Sequence, residues 1–262
     1  MQDDPPGPCP AGFFLPVAAG AARKQRPAPA VVDVPAAGCT HDEGGGGQGR
    51  RLVVGAVVLA AGAGSRLGNR PKCLLELDGV PLIRRQLAAL SGAGVDDIVV
   101  VLGHHAGQIE AVLVGWPVTR VRNPNPDDGQ VSSQRLGLAA LGGRLDAVIV
   151  ALADQPLIGA PHITALIQAF EKRPAGTAVV YPEVAGERGN PVMFTAEVRA
   201  QILAGPADVG CRQWQAAHAD AVLPFVTDHR GYRLDIDTVD DLEAFARDTG
   251  QPLRWPAGCI DS

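Results

Sequence analysis

No part of this sequence offers an uninterrupted apolar run of about 18 residues, the length a membrane-spanning helix needs, so no span and no membrane partner are expected. Cysteine is scarce and shows no pairing pattern. Cys9, Cys39, Cys73, Cys211 and Cys259 are odd in number, scattered and without CxxC spacing. That argues against a disulfide framework and a zinc site, and it fits a reducing, cytoplasmic setting. An excess of basic residues is missing too. The formal net charge is −5, which gives no electrostatic case for nucleic acid or an anionic membrane as the main partner. What remains, 262 residues of which 46% are hydrophobic and 19% charged, is material for one large domain or two small ones.

Regular periodicity is what the first fifty positions lack. They hold eight prolines and nine glycines, ending in a tetraglycine at 44–47. The apolar cluster Phe13-Phe14-Leu15 is cut at once by Pro16, and Arg23, Lys24 and Arg26 follow rather than precede it, unlike a secretory leader. Such a segment buries too little apolar surface to offset its ordering entropy. The expectation is a disordered Pro/Gly/Ala-rich extension over 1–50, a folded domain over 51–250 and a C-terminal tail over 251–262.

From Arg51 onward strand and helix patterns alternate. Strands are expected over 53–59, 97–102, 118–121 and 147–152, with a short extended piece over 73–77 before an Asp78-Gly79 turn. Helices are expected over 81–90 (opened by Pro81), over 108–114, from a Ser132 or Ser133 cap through Leu141, and over 161–170. The second half reads as strands over 178–181 and 191–194 around a polar loop, then helices over 197–203 and 209–218. Extended pieces over 221–225 and 232–236 precede a last helix capped by Thr238. Repeated strand–helix units imply a single α/β, Rossmann-like, three-layer domain with a mostly parallel sheet flanked by helices. Ligands of such sheets sit at the carboxyl ends of the strands.

Straight after the first strand stand Gly62, Gly64 and Gly68, interleaved with Ser65, Arg66, Arg70 and Lys72. Two familiar loops are absent. Gly68 is followed by Asn69-Arg70-Pro71 rather than by the Lys-Ser/Thr of a P-loop. The glycine spacing is G-x-G-x-x-x-G, and the next strand ends Val101-Leu102-Gly103-His104 without the acid that a dinucleotide ribose requires. Glycines let backbone N–H groups converge on anionic oxygens, and Arg66 with Lys72 adds the formal charge a polyphosphate needs. Asp154 follows a buried strand by two residues and can hold a divalent cation against phosphate oxygens; on position alone it reads as well as a helix cap. Asp235 and Asp237 share a face of the expected strand, and either could be a second ligand, or Asp237 could only cap the last helix. His104-His105 has no third ligand nearby and reads as a loop edge, while Cys73 lacks a paired histidine and reads as a small core residue.

The run L-A-A-G-x-G-S-R-L-G-x-x-P-K at 59–72 resembles the signature loop of nucleotidyltransferases with the nucleotide-diphospho-sugar transferase fold. Four further stretches extend the likeness over nearly all of 52–247: Gly129-x-x-Ser132-Ser133, Ala153-Asp154-Gln155-Pro156, Arg188-Gly189-Asn190-Pro191-Val192 and Asp208-Val209-Gly210-Cys211-Arg212, the last with Cys for the usual Ala. Asp235-Ile236-Asp237-Thr238 with Asp240-Asp241-Leu242 is similar to D-[IV]-D-T-P-E-D-L, Val239-Asp240 standing for Pro-Glu. Together they resemble the MobA-like molybdenum cofactor cytidylyltransferases. The resemblance implies nucleotide contacts from Leu59, Ala60, Ala61, Gly62, Gly64, Ser65, Arg66, Lys72, Gly103, Ser132 and Ser133, with Arg66 and Lys72 catalytic. It implies Mg²⁺ on Asp154 and Asp237, and acceptor contacts from Gln155, Pro156, Asn190 and Pro191.

The implied reaction moves CMP from CTP to the terminal phosphate of molybdopterin or molybdenum cofactor and releases pyrophosphate. A molybdenum hydroxylase apoenzyme is a possible downstream partner. Leu59-Ala60-Ala61-Gly62 matches cytidylyl-transferring relatives, where guanylyl-transferring ones carry Leu-Ala-Gly-Gly. Open alternatives are a guanylyltransferase of the same cofactor, a cytidylyl- or uridylyltransferase for a sugar or alcohol phosphate, and a non-catalytic cofactor-carrying chaperone.

Overall fold

The computed structural model describes residues 50–257. The extension expected over 1–50 lies, apart from Arg50, outside the described residues, as do residues 258–262 of the expected tail.

β1 (Val54–Ala60) is buried along its whole length. Ala56 and Val58 enter one core while Val57 and Leu59 enter the other, so a strand covered on both faces reads as an unbroken apolar run. Next come the antiparallel β2 (Glu76–Leu77) and β3 (Val80–Pro81), joined by Asp78 and Gly79 at φ values of 54° and 73°; two left-handed residues make the tight turn that suits a two-residue hairpin. α1 (Leu82–Gly92) buries Leu82, Ile83, Leu87 and Leu90 on one stripe. Pro81 closes β3 and caps α1 rather than opening it.

β4 (Asp97–Leu102), α2 (Ala106–Val112), β5 (Thr119–Arg122), α3 (Gln130–Ala140) and β6 (Ala147–Leu152) complete the first half. β1 pairs in parallel with both β4 and β6, and β4 with β5. The second half adds α4 (Ala160–Glu171), β7 (Val179–Val184), β8 (Glu187–Arg188), β9 (Val192–Thr195), α5 (Ala196–Ala204), α6 (Cys211–Ala217), β10 (Val222–Val226) and α7 (Val239–Thr249). The sheet order is β10-β7-β9-β6-β1-β4-β5, with β8 on β7. β9 runs antiparallel to β6 and β7, whereas β10 and β7 are parallel. This is the expected α/β domain with a mostly parallel sheet flanked by helices. No helix among the described residues is long and apolar enough to cross a membrane.

Two expectations in the second half change. The polar loop after β7 is a hairpin into β8. Residues 232–236 form no strand: a 3₁₀ turn at Arg230–Tyr232 leads into irregular chain. The reason is Tyr232, which is 1% exposed and whose carbonyl accepts from the Asn190 N–H and the Gln155 amide, so this backbone serves a neighbouring loop and not a ladder.

α1 and α4 pack together on one face of the sheet, with α3 and α5 on the other. A third, smaller cluster joins Leu67 of the glycine loop, Leu75, Leu82, Ile236, Phe245 and Leu253. Ile236 is fully buried between Asp235 and Asp237, and burying such a side chain contributes about 1.5–3 kcal/mol. The chain past α7 seals this cluster: Arg254 and Glu76 exchange backbone hydrogen bonds of 3.0 and 2.7 Å, and the Trp255 ring lies 4.2 Å from the Arg70 guanidinium.

Candidate active site

The glycine loop leaves the carboxyl end of β1 and folds back on itself. Gly64 has a φ of 66°, and a Cβ there would stand 1.9 Å from the Arg70 carbonyl oxygen, so only glycine permits the return. Gly62 differs, because nothing lies within 4 Å of where its side chain would be and it lines a cleft of about 330 Å³. Gly103 supports the loop from behind, since a Cβ there would meet the Ala61 carbonyl oxygen at 2.4 Å. His105 Nε2 donates to the Ala63 carbonyl at 2.9 Å, while His104 lies 3.1 Å from Asp127. The two rings serve separate partners and make no metal pair.

Lys72, 19% exposed, points into the cleft with Nζ 2.7 Å from Asp154 Oδ2 and 2.5 Å from Asp237 Oδ1. Burial pulls the ammonium pKa down, but the Asp154 and Asp237 carboxylates outweigh it and hold it above the ordinary value. Arg66 Nη1 lies 3.7 Å from Asp237 Oδ2 on a side chain that is 71% exposed; alone, such a contact stabilises little. Asp235 also lines the cleft. Burial of its carboxyl, and then the charges of Asp154 and Asp237, hold it above the usual carboxylate range. The Cys73 thiol is pushed up to about 12, first by burial and then by Asp154, so it is no nucleophile.

Helix capping does not claim Asp237. The Thr238 hydroxyl accepts from the Asp241 N–H at 3.2 Å, and Asp241 Oδ2 accepts from the Asp237 and Thr238 N–H groups at 3.0 and 2.7 Å. That reciprocal cap starts α7 and leaves the Asp237 carboxylate facing Lys72. Asp154 and Asp237 thus already converge on one cationic atom with hard oxygen donors, a donor set that suits Mg²⁺. Among the described residues no group of three or more His, Cys, Asp or Glu side chains could hold a metal alone.

The opposite wall is the start of α3, whose N-cap Gly129 has a φ of 87° and offers no capping side chain. Gly129, Gln130 and Ser133 line the cleft, and uncapped helix N–H groups favour anions there. Ser132 and Ser133 lie within the helix rather than at its cap. Asn123 Nδ2 donates to both hydroxyl oxygens at 2.8 and 3.0 Å, and Ser132 Oγ donates to the Gly129 carbonyl at 2.8 Å.

Of the sequence-derived residues, Leu59, Ala60, Ala61, Gly62, Lys72, Ser133, Asp154 and Asp237 meet at this cleft. Gly64, Ser65, Arg66, Gly103 and Ser132 do not line it. Three of the four expected acceptor contacts lie elsewhere. Gln155 is 2% exposed and its amide donates to the carbonyls of Asn190, Gly231 and Tyr232 at 3.3, 3.3 and 3.1 Å. It ties loops together behind the site. Pro156 and Pro191 are buried; only Asn190 reaches an adjoining chamber. That chamber also shows Arg188 and Arg212, which stood in quoted motifs without a role, because nothing local in the sequence aims a surface arginine inward.

A model of the MobA-like NTP transferase domain matches residues 56–222. Nicotine blue oxidoreductase from Paenarthrobacter nicotinovorans is 30% identical over 193 residues, 71% of this chain and 93% of that protein. The bifunctional protein GlmU from Sorangium cellulosum is 33% identical over 149 residues, which make up 55% of this chain but 29% of that protein; the chain spans less than a third of such a relative. A solved nucleotidyl transferase from Methanothermobacter thermautotroptrophicus superposes with a TM-score of 0.62 at 28% identity, covering 75% of this chain and 97% of that one.

Proposed function

The chain belongs to the MobA-like NTP transferase domain family of nucleotidyltransferases, and from that premise we propose that it transfers CMP from CTP to the terminal phosphate of molybdopterin or molybdenum cofactor, releasing pyrophosphate. The observation that carries this reading is Lys72 between Asp154 and Asp237 at the mouth of a cleft floored by the glycine loop. Leu59-Ala60-Ala61-Gly62 on the cleft wall supports cytosine as the base.

An acceptor phosphate oxygen forms a bond to the α-phosphorus of CTP while the bond to the β-phosphate oxygen breaks and pyrophosphate leaves with the electron pair. The second pKa of a phosphate monoester is about 6, so the nucleophile is already ionised at neutral pH and no general base is needed. His104 and His105 are accordingly free to serve the loop. The chain supplies position and charge. Backbone N–H groups of the glycine loop and of the α3 start receive the triphosphate. Lys72 and Arg66 neutralise it and stabilise charge developing on the α-phosphoryl group and the leaving pyrophosphate. Asp154 and Asp237 would hold Mg²⁺, which when bound offsets the repulsion between nucleotide and acceptor phosphates.

Pyrophosphate release in the presence of Mg²⁺ and molybdenum cofactor, compared across CTP, GTP, ATP and UTP, tests this. Release with CTP is expected. Release with GTP in its place would make the chain a guanylyltransferase, and release only with sugar or alcohol phosphates would move the acceptor.

A further inference from the structure

Beyond Asp235 and Gln130, which it shares with the nucleotide cleft, lies a second chamber of about 280 Å³. Two guanidinium groups, Arg188 and Arg212, line it. Some arginines elsewhere on this surface meet carboxylates: Arg122 meets Glu110, Arg230 meets Asp248 and Arg233 meets Glu187. Neither chamber arginine has an ion pair among the described residues. Arg188 lies 4.0 Å over the Tyr181 ring and donates to the neutral Gln215 amide oxygen. Arg212 has neither hydrogen bond nor ion pair among the described residues. Two like charges face one partly enclosed space, in a chain whose net charge is −5; the carboxylate that shares its lining, Asp235, forms an ion pair with neither among the described residues. Burial presses the Arg188 guanidinium downward from its ordinary value; Tyr181 and, more weakly, Glu183 pull it up, and the charge of Arg212 adds to the downward push.

Both groups are rigidly mounted. The Gly189 Cα packs so closely on Tyr232 that a Cβ would stand 2.6 Å from its carbonyl oxygen, and the Asn190 N–H donates to that same oxygen at 2.7 Å. The Cys211 N–H donates to Gln134 Oε1 at 3.1 Å. Arg135, one residue along α3, donates to the carbonyls of Ile202, Leu203, Gly205, Pro206 and Val209. α3 therefore fixes the backbone that carries Arg212 while its first turn lines the nucleotide cleft.

We propose that this chamber is an oxyanion subsite in which Arg188 and Arg212 together clamp the phosphate of the acceptor beside the nucleotide. The proposal rests on the nucleotidyl-transfer reading and names the side chains that would hold its acceptor phosphate. Paired guanidinium forks match the oxygens of a phosphate, and that match is lost when lysine replaces arginine. Neutral alcohols and amines would leave both charges unanswered.

The test is calorimetric titration of the full chain with inorganic phosphate, which requires no turnover. Arg212→Gln is expected to weaken phosphate binding by about tenfold or more, equivalent to about 1.4 kcal/mol. Arg212→Lys is expected to restore part of the affinity, and an unchanged melting midpoint in both variants shows that they fold. Lys72→Ala, which alters only the other cleft, is expected to keep the Arg212-dependent binding. Equal phosphate affinity in wild type and Arg212→Gln, or no phosphate binding by wild type, would overturn the clamp. Failure of the wild type to bind CTP, with Arg212-dependent phosphate binding intact, would instead remove the nucleotidyl-transfer reading and leave the clamp standing.

Discussion

Lys72→Ala removes the ammonium that Asp154 and Asp237 share at 2.7 and 2.5 Å, and it has two consequences of opposite sign. Turnover falls, because a preorganised group facing developing phosphoryl charge is lost; such losses amount to about 100- to 1,000-fold in kcat. Affinity for free Mg²⁺ rises, because the two carboxylates no longer have a resident cation to displace. With Lys72 and Asp154 only 19% and 15% exposed, the pair lies between surface and buried cases, about 1–2 kcal/mol. That corresponds to binding about five- to thirtyfold tighter. The same loss of counter-charge lowers stability in metal-free buffer, and for a domain of this size the melting midpoint falls by about 2–8 °C. The Lys72 pKa is raised above 10.5, so its contribution is complete at neutral pH and is lost only as pH rises through the higher folded value. Pyrophosphate release, Mg²⁺ calorimetry and melts with and without chelator read the three effects separately. A folded variant within about threefold of wild-type turnover, against the 100-fold expected, or one binding Mg²⁺ more weakly than wild type, would refute the reasoning.

Gly64→Ala puts a methyl group 1.9 Å from the Arg70 carbonyl oxygen at a φ of 66°. The left-handed backbone alone costs about 1–2 kcal/mol, and the KM for CTP is expected to rise with a lower melting midpoint; an unchanged KM would mean the loop return is dispensable. Arg135→Ala leaves five carbonyls without their shared donor and is expected to cost about 2–3 kcal/mol, a midpoint shift of about 5–10 °C, with no rescue by Arg135→Lys; full rescue by lysine would show that charge rather than the fork matters. His162 and His229 stack at 3.7 Å, and both are pushed below 6.5, chiefly by burial, with a neighbouring positive charge adding to it. Their neutral forms are built in above pH 6.5; below it the unfolded chain takes up protons that the folded one resists, so stability drops as pH falls. Melts between about pH 7.5 and 5.5, either side of the ordinary histidine value, should slope less in His229→Asn than in wild type, and identical slopes would clear the pair.

The legible parts were those with a local cause. β1, β4 and β6 announce themselves as apolar runs because both their faces are covered. Gly64 marks the loop because its left-handed turn against the Arg70 carbonyl leaves no other residue suitable, and Gly62 beside it lines the cleft. Lys72 and Asp154 follow from their distance past a strand. Asp235 and Asp237 were expected to share a strand face; they converge on the cleft from irregular chain held by Ile236 and the α7 cap. Ser132 and Ser133 looked like caps because serine favours that position, yet Asn123, nine or ten residues upstream, claims both hydroxyls. Gln155 looked like an acceptor contact because it follows Asp154, but its partners are 35 to 77 residues away in sequence. Arg135 and the paired guanidiniums at 188 and 212 were silent for the same reason: their meaning lies in contacts that only the closed sheet brings together.

CTP labelled at its α-phosphate, incubated with the full chain, Mg²⁺ and molybdenum cofactor, tests the central claim most directly. The account predicts that the label moves to a pterin-containing product in equal amount with released pyrophosphate, and that Lys72→Ala slows the transfer by about 100-fold or more. Label remaining in CTP, or appearing in CMP with no adduct formed, would contradict it.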